Sequence, residues 1–337
     1  MTKKNLSDTF KVDNLFIQGV PDFFGQKRAA VQLALPGLAP FGLFDLWSTL
    51  ALYSLLDPDK PEEEHMTTYT ELLEVLQFTR NVSEALGGYE TFDNKDFRLV
   101  EETLHRLFTV EVSRQGQYRV KVADKKTGKP GKGRPRHHYV EFRGRILITL
   151  RYIYPPEVEP PDLLPATRRK NVNRAKTLNG ELAPPIWKRV DGPKPKAIGF
   201  RFHPDLVEGL KGENIGATTI PLRLFGLRKT FGRNLTATRL LVWALRQTAQ
   251  TMTRRLEGLA KELNLDAKNP GRNRLALLTA FDLLKTTGVV ENWDTFEKDG
   301  EDWVTFTKAD DWHFARVAKA KTPPALPAPV EGEKGTV

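Results

Sequence analysis

The chain has 337 residues, enough for two domains with cores of their own, and no Cys, which excludes disulfides, thiolate zinc sites and a Cys nucleophile. It has no apolar run of membrane-spanning length and a polar start, MTKKNLSDTF, without a signal-peptide pattern, so a cytoplasmic location without membrane contact is expected. The net charge of +10 is unevenly spread: residues 114–151 carry twelve Lys/Arg against two acids, 165–201 ten against two, and 222–274 twelve against three, leaving −17 on the rest. Three basic blocks on an otherwise acidic chain favour a polyanionic partner, nucleic acid above all.

Taken in order, residues 1–37 hold apolar pieces broken by Gly and Pro and are expected to form an arm with a short strand or two. Residues 43–56 (LFDLWSTLALYSLL) make a buried helix ended by Asp57-Pro58, since a residue before Pro avoids the helical region. Thr67 and Thr68 can cap a second helix over 69–77, with Glu71 placed for a capping box. Asp93 can cap a third over 94–108, with Phe97, Val100, Leu104 and Leu107 at helical spacing. Strands are expected at 109–112, 118–122, 139–142 and 146–154, around a Gly/Pro/Lys/Arg loop. Residues 155–197 read as a basic, Pro-rich linker, which either follows a phosphate backbone or is disordered. AIGFRF (197–202) reads as a strand entering a second unit, and 220–227 as a short apolar segment.

In the second unit, 236–251 is expected to be a long helix with Leu240, Leu241, Ala244 and Leu245 inward. A short helix follows over 253–265, with Leu256, Leu259, Ala260 and Leu263 on one face. Asn269 can cap a further helix with Pro270 at its first position, running to a stop at Gly288. At about 100° per residue, Leu277, Leu278, Phe281 and Leu284 share its buried face, and Arg272, Ala276, Thr279 and Thr286 lie roughly opposite. Residues 289–293 and 303–306 alternate as a hairpin around TFEKDGED. After Trp312 a disordered Ala/Lys/Pro tail is expected.

The order helix, helix, capped helix, hairpin thus occurs twice. It is the pattern of a winged helix-turn-helix, and the expected fold class is α+β. Two tandem winged-helix domains, 38–154 and 198–314, are joined by the 155–197 linker, between the 1–37 arm and the 315–337 tail. The two recognition faces differ. The first presents Lys95, Arg98, Glu101, Glu102 and His105; the second is expected to be free of acid. Candidate DNA contacts in the second unit are therefore Arg254, Arg255, Asn269, Arg272, Asn273, Arg274, Ala276 and Thr279. In the first unit they are Lys95 and Arg98, with backbone contacts from Lys125, Lys126, Lys129, Lys132, Arg134 and Arg136 of the hairpin loop. Arg168, Arg169 and Lys170 of the linker complete the set. The first unit could instead serve mainly self-association.

This pattern resembles the replication initiators of theta-replicating plasmids, the tandem winged-helix type, over about residues 38–312. The resemblance is carried by LFDLWSTLALYSLL, TYTELLEVLQ, FRLVEETLHRLFTVEV and RRLEGLAKELNL with RNRLALLTAFDLLKTTGVV. It implies binding to repeated double-stranded origin sites, homodimer–monomer control by the first winged helix, base reading by the second, and recruitment of host replication proteins such as a helicase or initiator. The long basic linker and the insertion in the first hairpin depart from that pattern.

The sequence offers little enzyme chemistry. Gly128 to Gly133 is glycine-rich without the spacing or the Ser/Thr of a phosphate-binding loop. His137 and His138 are adjacent, so on a strand they face opposite ways and do not form a metal-holding pair. No metal, cofactor or catalytic residue is expected. The competing readings are a winged-helix transcriptional repressor and, from another class, a DNA-nicking relaxase.

Overall fold

The computed structural model describes residues 9–24, 41–83, 89–120, 136–157, 163–165, 187–189, 194–210 and 217–312. The apolar pieces near the start fold as strand β1 (Thr9–Asp13) and helix α1 (Asn14–Phe23), so the expected arm is a packed element with a helix in it. Asp13 explains the turn between them. One carboxylate oxygen accepts the Leu15 amide at 2.6 Å as an N-cap, and the other accepts the Gly209 amide at 2.6 Å. Gly19 and Pro21, read as breaks, sit inside the helix. Gly19 gives room for the Phe23 ring, which a Cβ there would strike at 2.2 Å. Burial of Phe16, Phe23 and Phe24 against one another and Tyr53 outweighs the poor local propensity.

The next elements are α2 (Leu43–Ser54), β2 (His65–Thr67), α3 (Tyr69–Val75), β3 (Asn81–Ser83), β4 (Tyr89–Thr91) and α4 (Asn94–Thr109). At α3 the Thr68 hydroxyl accepts the Glu71 amide at 3.0 Å, while the Glu71 carboxylate accepts the Thr67 hydroxyl at 3.0 Å. Asp93 occupies the N-cap of α4 without a side-chain cap bond; its carboxylate meets Lys95 at 2.7 Å instead. Arg106 of α4 reaches Asp45 of α2 through two donors, at 3.0 and 2.7 Å, and Asp45 also accepts the Gly42 amide at 2.6 Å.

Strands β5 (Glu111–Val120) and β6 (Arg136–Arg145) form one long antiparallel hairpin, and β7 (Leu147–Ile153) follows at once. Within the expected linker, β8 (Leu163–Pro165) pairs with β9 (Trp187–Arg189). Strand β10 (Ala197–Phe202) does not open the second unit: it is the central strand of the sheet β2-β10-β7. Its Ile198, Phe200 and Phe202 share one buried face while Arg201 on the other face is exposed, and pairing with β2 along one edge and β7 along the other makes it central.

The chain continues through β11 (Ala217–Pro221), a 3-10 turn, α5 (Leu227–Phe231), α6 (Leu235–Arg246), β12 (Thr251–Arg255), α7 (Leu256–Glu262), α8 (Pro270–Thr286), β13 (Val290–Lys298) and β14 (Glu301–Lys308). The sheet order is β12-β14-β13. Strand β11 pairs with β1, so the first described residues join the second half of the chain. The long helix ends at Arg246, and residues 251–255 are a strand rather than the start of the short helix. The expected helix begins at Thr253 because the polar residues 253–255 lead into the Leu256, Leu259, Ala260 and Leu263 stripe without a break signal. Pairing decides otherwise: Met252 lies opposite Phe306, and the Thr251–Thr307 and Thr253–Thr305 hydroxyls meet across the ladder at 3.1 and 2.8 Å. Among the described residues no helix is long and apolar enough to cross a membrane.

Candidate nucleic-acid interface

Helices α7 and α8 are held by a tight apolar contact. Leu256, Leu259, Ala260 and Leu263 are buried on one side, and Leu277, Ala280, Phe281 and Leu284 on the other. Ala280, not Leu278, completes the α8 stripe. The Phe281 ring stacks on Trp293 at 5.6 Å and meets Phe306 at 5.0 Å, fixing α8 on the β13–β14 hairpin. Gly288, at φ +72°, ends the helix, and the Val289 amide reaches back to the Leu284 carbonyl at 2.9 Å.

The turn between the helices is organised by Asp266. Its carboxylate accepts the Lys268 amide at 3.0 Å and the Asn269 side-chain amide at 2.7 Å, and its carbonyl accepts the Asn273 side-chain amide at 2.8 Å. Those bonds, with Lys268 and Arg272 nearby, hold the Asp266 carboxyl below the usual carboxylate range. Asn269 occupies the N-cap position of α8 but makes no side-chain cap bond. Asn269 and Asn273, expected to meet DNA, thus have their side-chain amides engaged in the turn.

On the outward face, Arg272, Leu275, Thr279, Asp282 and Thr286 are exposed and Ala276 is half-buried. Leu275 is 66% exposed. Asp282 corrects the expectation of an acid-free face, although it lies in the C-terminal half of the helix. Both residues could have been found in the sequence, because 272, 275, 279, 282 and 286 follow the 3-4-3-4 spacing of one helical face.

The flanking arginines are less available. Arg274 Nε meets Asp302 Oδ2 at 2.8 Å. Arg255 meets Glu301 at 2.9 Å and Glu257 at 2.6 Å. Arg254 donates to the Thr253 carbonyl at 3.0 Å, and its guanidinium lies 5.9 Å from the Trp243 ring centre. Arg254 and Arg255 project from β12, not from a helix. The structure therefore brings together the end of β12, the first turns of α8 and the start of β14.

Many cations of the 222–274 block have structural partners. Arg223 binds the Asp311 carboxylate and carbonyl, and Arg228 donates to the Leu76 carbonyl at 2.8 Å and lies over Phe78. Lys229 donates to Thr79 at 2.8 Å. Arg239 is 4% exposed, donates to the carbonyls of Phe24 and Leu263, and is pushed down to about 10 by burial. Its total charge thus overstates the surface it offers to a polyanion.

In the first unit, α4 buries Val100, Thr103, Leu104 and Leu107 and exposes Lys95, Arg98 and Glu102, with Glu101 and His105 half-buried. The Asp93 contact raises the Lys95 ammonium and lowers the Asp93 carboxyl. Burial, with Arg106 beside it, pushes the His105 imidazole down. Lys125, Lys126, Lys129, Lys132 and Arg134 of the hairpin loop, and Arg168, Arg169 and Lys170 of the linker, lie outside the described residues, as does the 313–337 tail. Arg136 begins β6, where the backbone alone is described. Among the described residues no three His, Asp or Glu side chains converge in a way that could hold a metal ion.

Two crystal structures of domains 2–3 of RctB are similar to this chain, each at 12% sequence identity with a TM-score of 0.45. One match covers 89% of this chain and 99% of that one; the other, to selenomethionine derivatives, covers 87% and 98%. No family model and no curated protein matches the sequence.

Proposed function

We propose that the chain is a non-enzymatic, sequence-specific double-stranded DNA-binding protein that acts as a replication initiator through two tandem winged helices, the second of which reads bases. The observation that carries this reading is the outward face of α8, where Arg272, Leu275, Ala276 and Thr279 lie over a helix-turn-helix braced by a three-stranded hairpin sheet. Arg272 stands in the first turn, where a recognition helix meets base edges and where guanine O6 and N7 accept a bidentate guanidinium. The small side chains of Ala276 and Thr279 let the backbone approach the groove.

The α4 helix of the first unit suits backbone contact better, because Glu101 and Glu102 accompany Lys95 and Arg98 on its outer side. A homodimeric form and host replication proteins as partners belong to the same reading. Footprinting of the full chain on DNA flanking its own gene tests it. Protected direct repeats are expected; a single protected promoter palindrome favours a repressor. Sustained nicking of supercoiled DNA with a divalent metal would replace the non-enzymatic reading with a relaxase.

A further inference from the structure

The β13–β14 hairpin is acidic: Glu291, Asp294, Glu297, Asp299, Glu301 and Asp302 stand against one exposed cation, Lys298. Two of these acids are placed with purpose. Asp302 meets Arg274 at 2.8 Å and Glu301 meets Arg255 at 2.9 Å, on the edge of the surface proposed above to face DNA. Both pairs are well exposed, with side chains 37–49% accessible, and such pairs add only about 0–1 kcal/mol to stability. Their larger effect falls on a third charge brought near. A phosphate that approaches Arg255 or Arg274 must displace a carboxylate already in place or share the guanidinium with it, and in either case that negative charge lies close to the phosphate and weakens the contact.

We propose that Glu301 and Asp302 are resident competitors for DNA phosphate, holding Arg255 and Arg274 off non-specific duplex and so raising the specificity of the α8 surface. The proposal rests on the DNA reading given above. Non-specific binding derives almost wholly from phosphate contacts and counterion release, so the competitors weaken it most. A cognate site adds base contacts from α8 that drive the exchange. Glu257 also holds Arg255, at 2.6 Å, so Arg274 is the arginine more fully released when the hairpin acids are neutralised.

The test compares wild type with Glu301→Gln/Asp302→Asn on a random-sequence duplex and on a duplex enriched by selection, across a salt series. For the random duplex, the slope of log affinity against log salt is expected to steepen by about 0.9 to 1.8, and low-salt affinity to rise roughly tenfold. The enriched duplex should gain less, lowering the specificity ratio. Adding Arg255→Gln/Arg274→Gln should cancel the gain. A Glu291→Gln/Glu297→Gln control changes the net charge equally without releasing an arginine, and should gain clearly less. An unchanged slope, or an equal gain in the control, overturns the competition. Failure of wild type to bind any duplex would instead overturn the DNA reading itself.

Discussion

At the scale of single residues, Arg272 and Lys308 illustrate two uses of a cation. Arg272 is exposed in the first turn of α8, and its contribution should appear only with DNA present. Arg272→Ala is expected to cost roughly 1–3 kcal/mol of binding and to relax preference at one base position, as measured on a set of single-substituted duplexes. A uniform loss across all of them would make it a phosphate contact. Lys308 is 1% exposed and donates to the Ala244 and Gln247 carbonyls at 3.2 and 2.6 Å, closing the C-terminal end of α6. Burial pushes its ammonium down to about 8 from 10.5. Between those values the unfolded chain binds more protons than the folded one, so stability should rise with pH from about 8 to 10.5, by a few kcal/mol at most. Urea unfolding across that window should show the rise, and Lys308→Met should remove it; a slope that survives the substitution would place its origin elsewhere.

At the scale of elements, the clearest helices were legible because periodicity and chain-local caps specify them. Leu46, Trp47, Leu50 and Tyr53 of α2, and Val100, Leu104 and Leu107 of α4, are buried at the positions that the spacing implies. The errors fall where a distant partner decides. Thr251 and residues 253–255 fit the flanking helices as well as a strand, and only pairing with β14 makes them a strand. The α8 face was legible in outline, but a wholly apolar residue, Leu275, and an acid, Asp282, run against what a DNA-facing surface is expected to carry, although both share the spacing of Arg272 and Thr279. Glu301 on Arg255 and Asp302 on Arg274 come from a hairpin 28 or more residues away, which no local spacing reveals. One tie between helices is testable alone. Asp45 is 1% exposed and receives two bonds from Arg106, so Arg106→Met leaves a buried carboxylate with little beyond the Gly42 amide. A loss of about 3–5 kcal/mol in unfolding free energy is expected, and a loss below 1 kcal/mol by chemical denaturation would show that the pair is dispensable.

At the scale of the whole molecule, the halves of the chain are interleaved rather than strung in series. β1 pairs with β11, β10 lies between β2 and β7, and the Tyr53 hydroxyl donates to the Leu206 carbonyl at 2.6 Å. Arg228 and Lys229 tie α5 to residues 76–79. These connections carry far more buried backbone pairing than a linker between free domains would, so the two candidate recognition helices should keep a fixed relation. A protease site placed near residue 175 tests this. After cleavage the pieces should co-elute and unfold together; separation on a sizing column without denaturant would show independent units.

The most direct test of base reading by α8 is guanine N7 protection from dimethyl sulfate on a duplex enriched by the full chain, since N7 faces the major groove. Wild type should protect a discrete set of guanines, and Arg272→Ala, compared at equal occupancy, should lose protection at one of them while keeping the rest. Protection identical in the two proteins, or absent from the major groove altogether, would contradict the assignment of α8 as the reading helix.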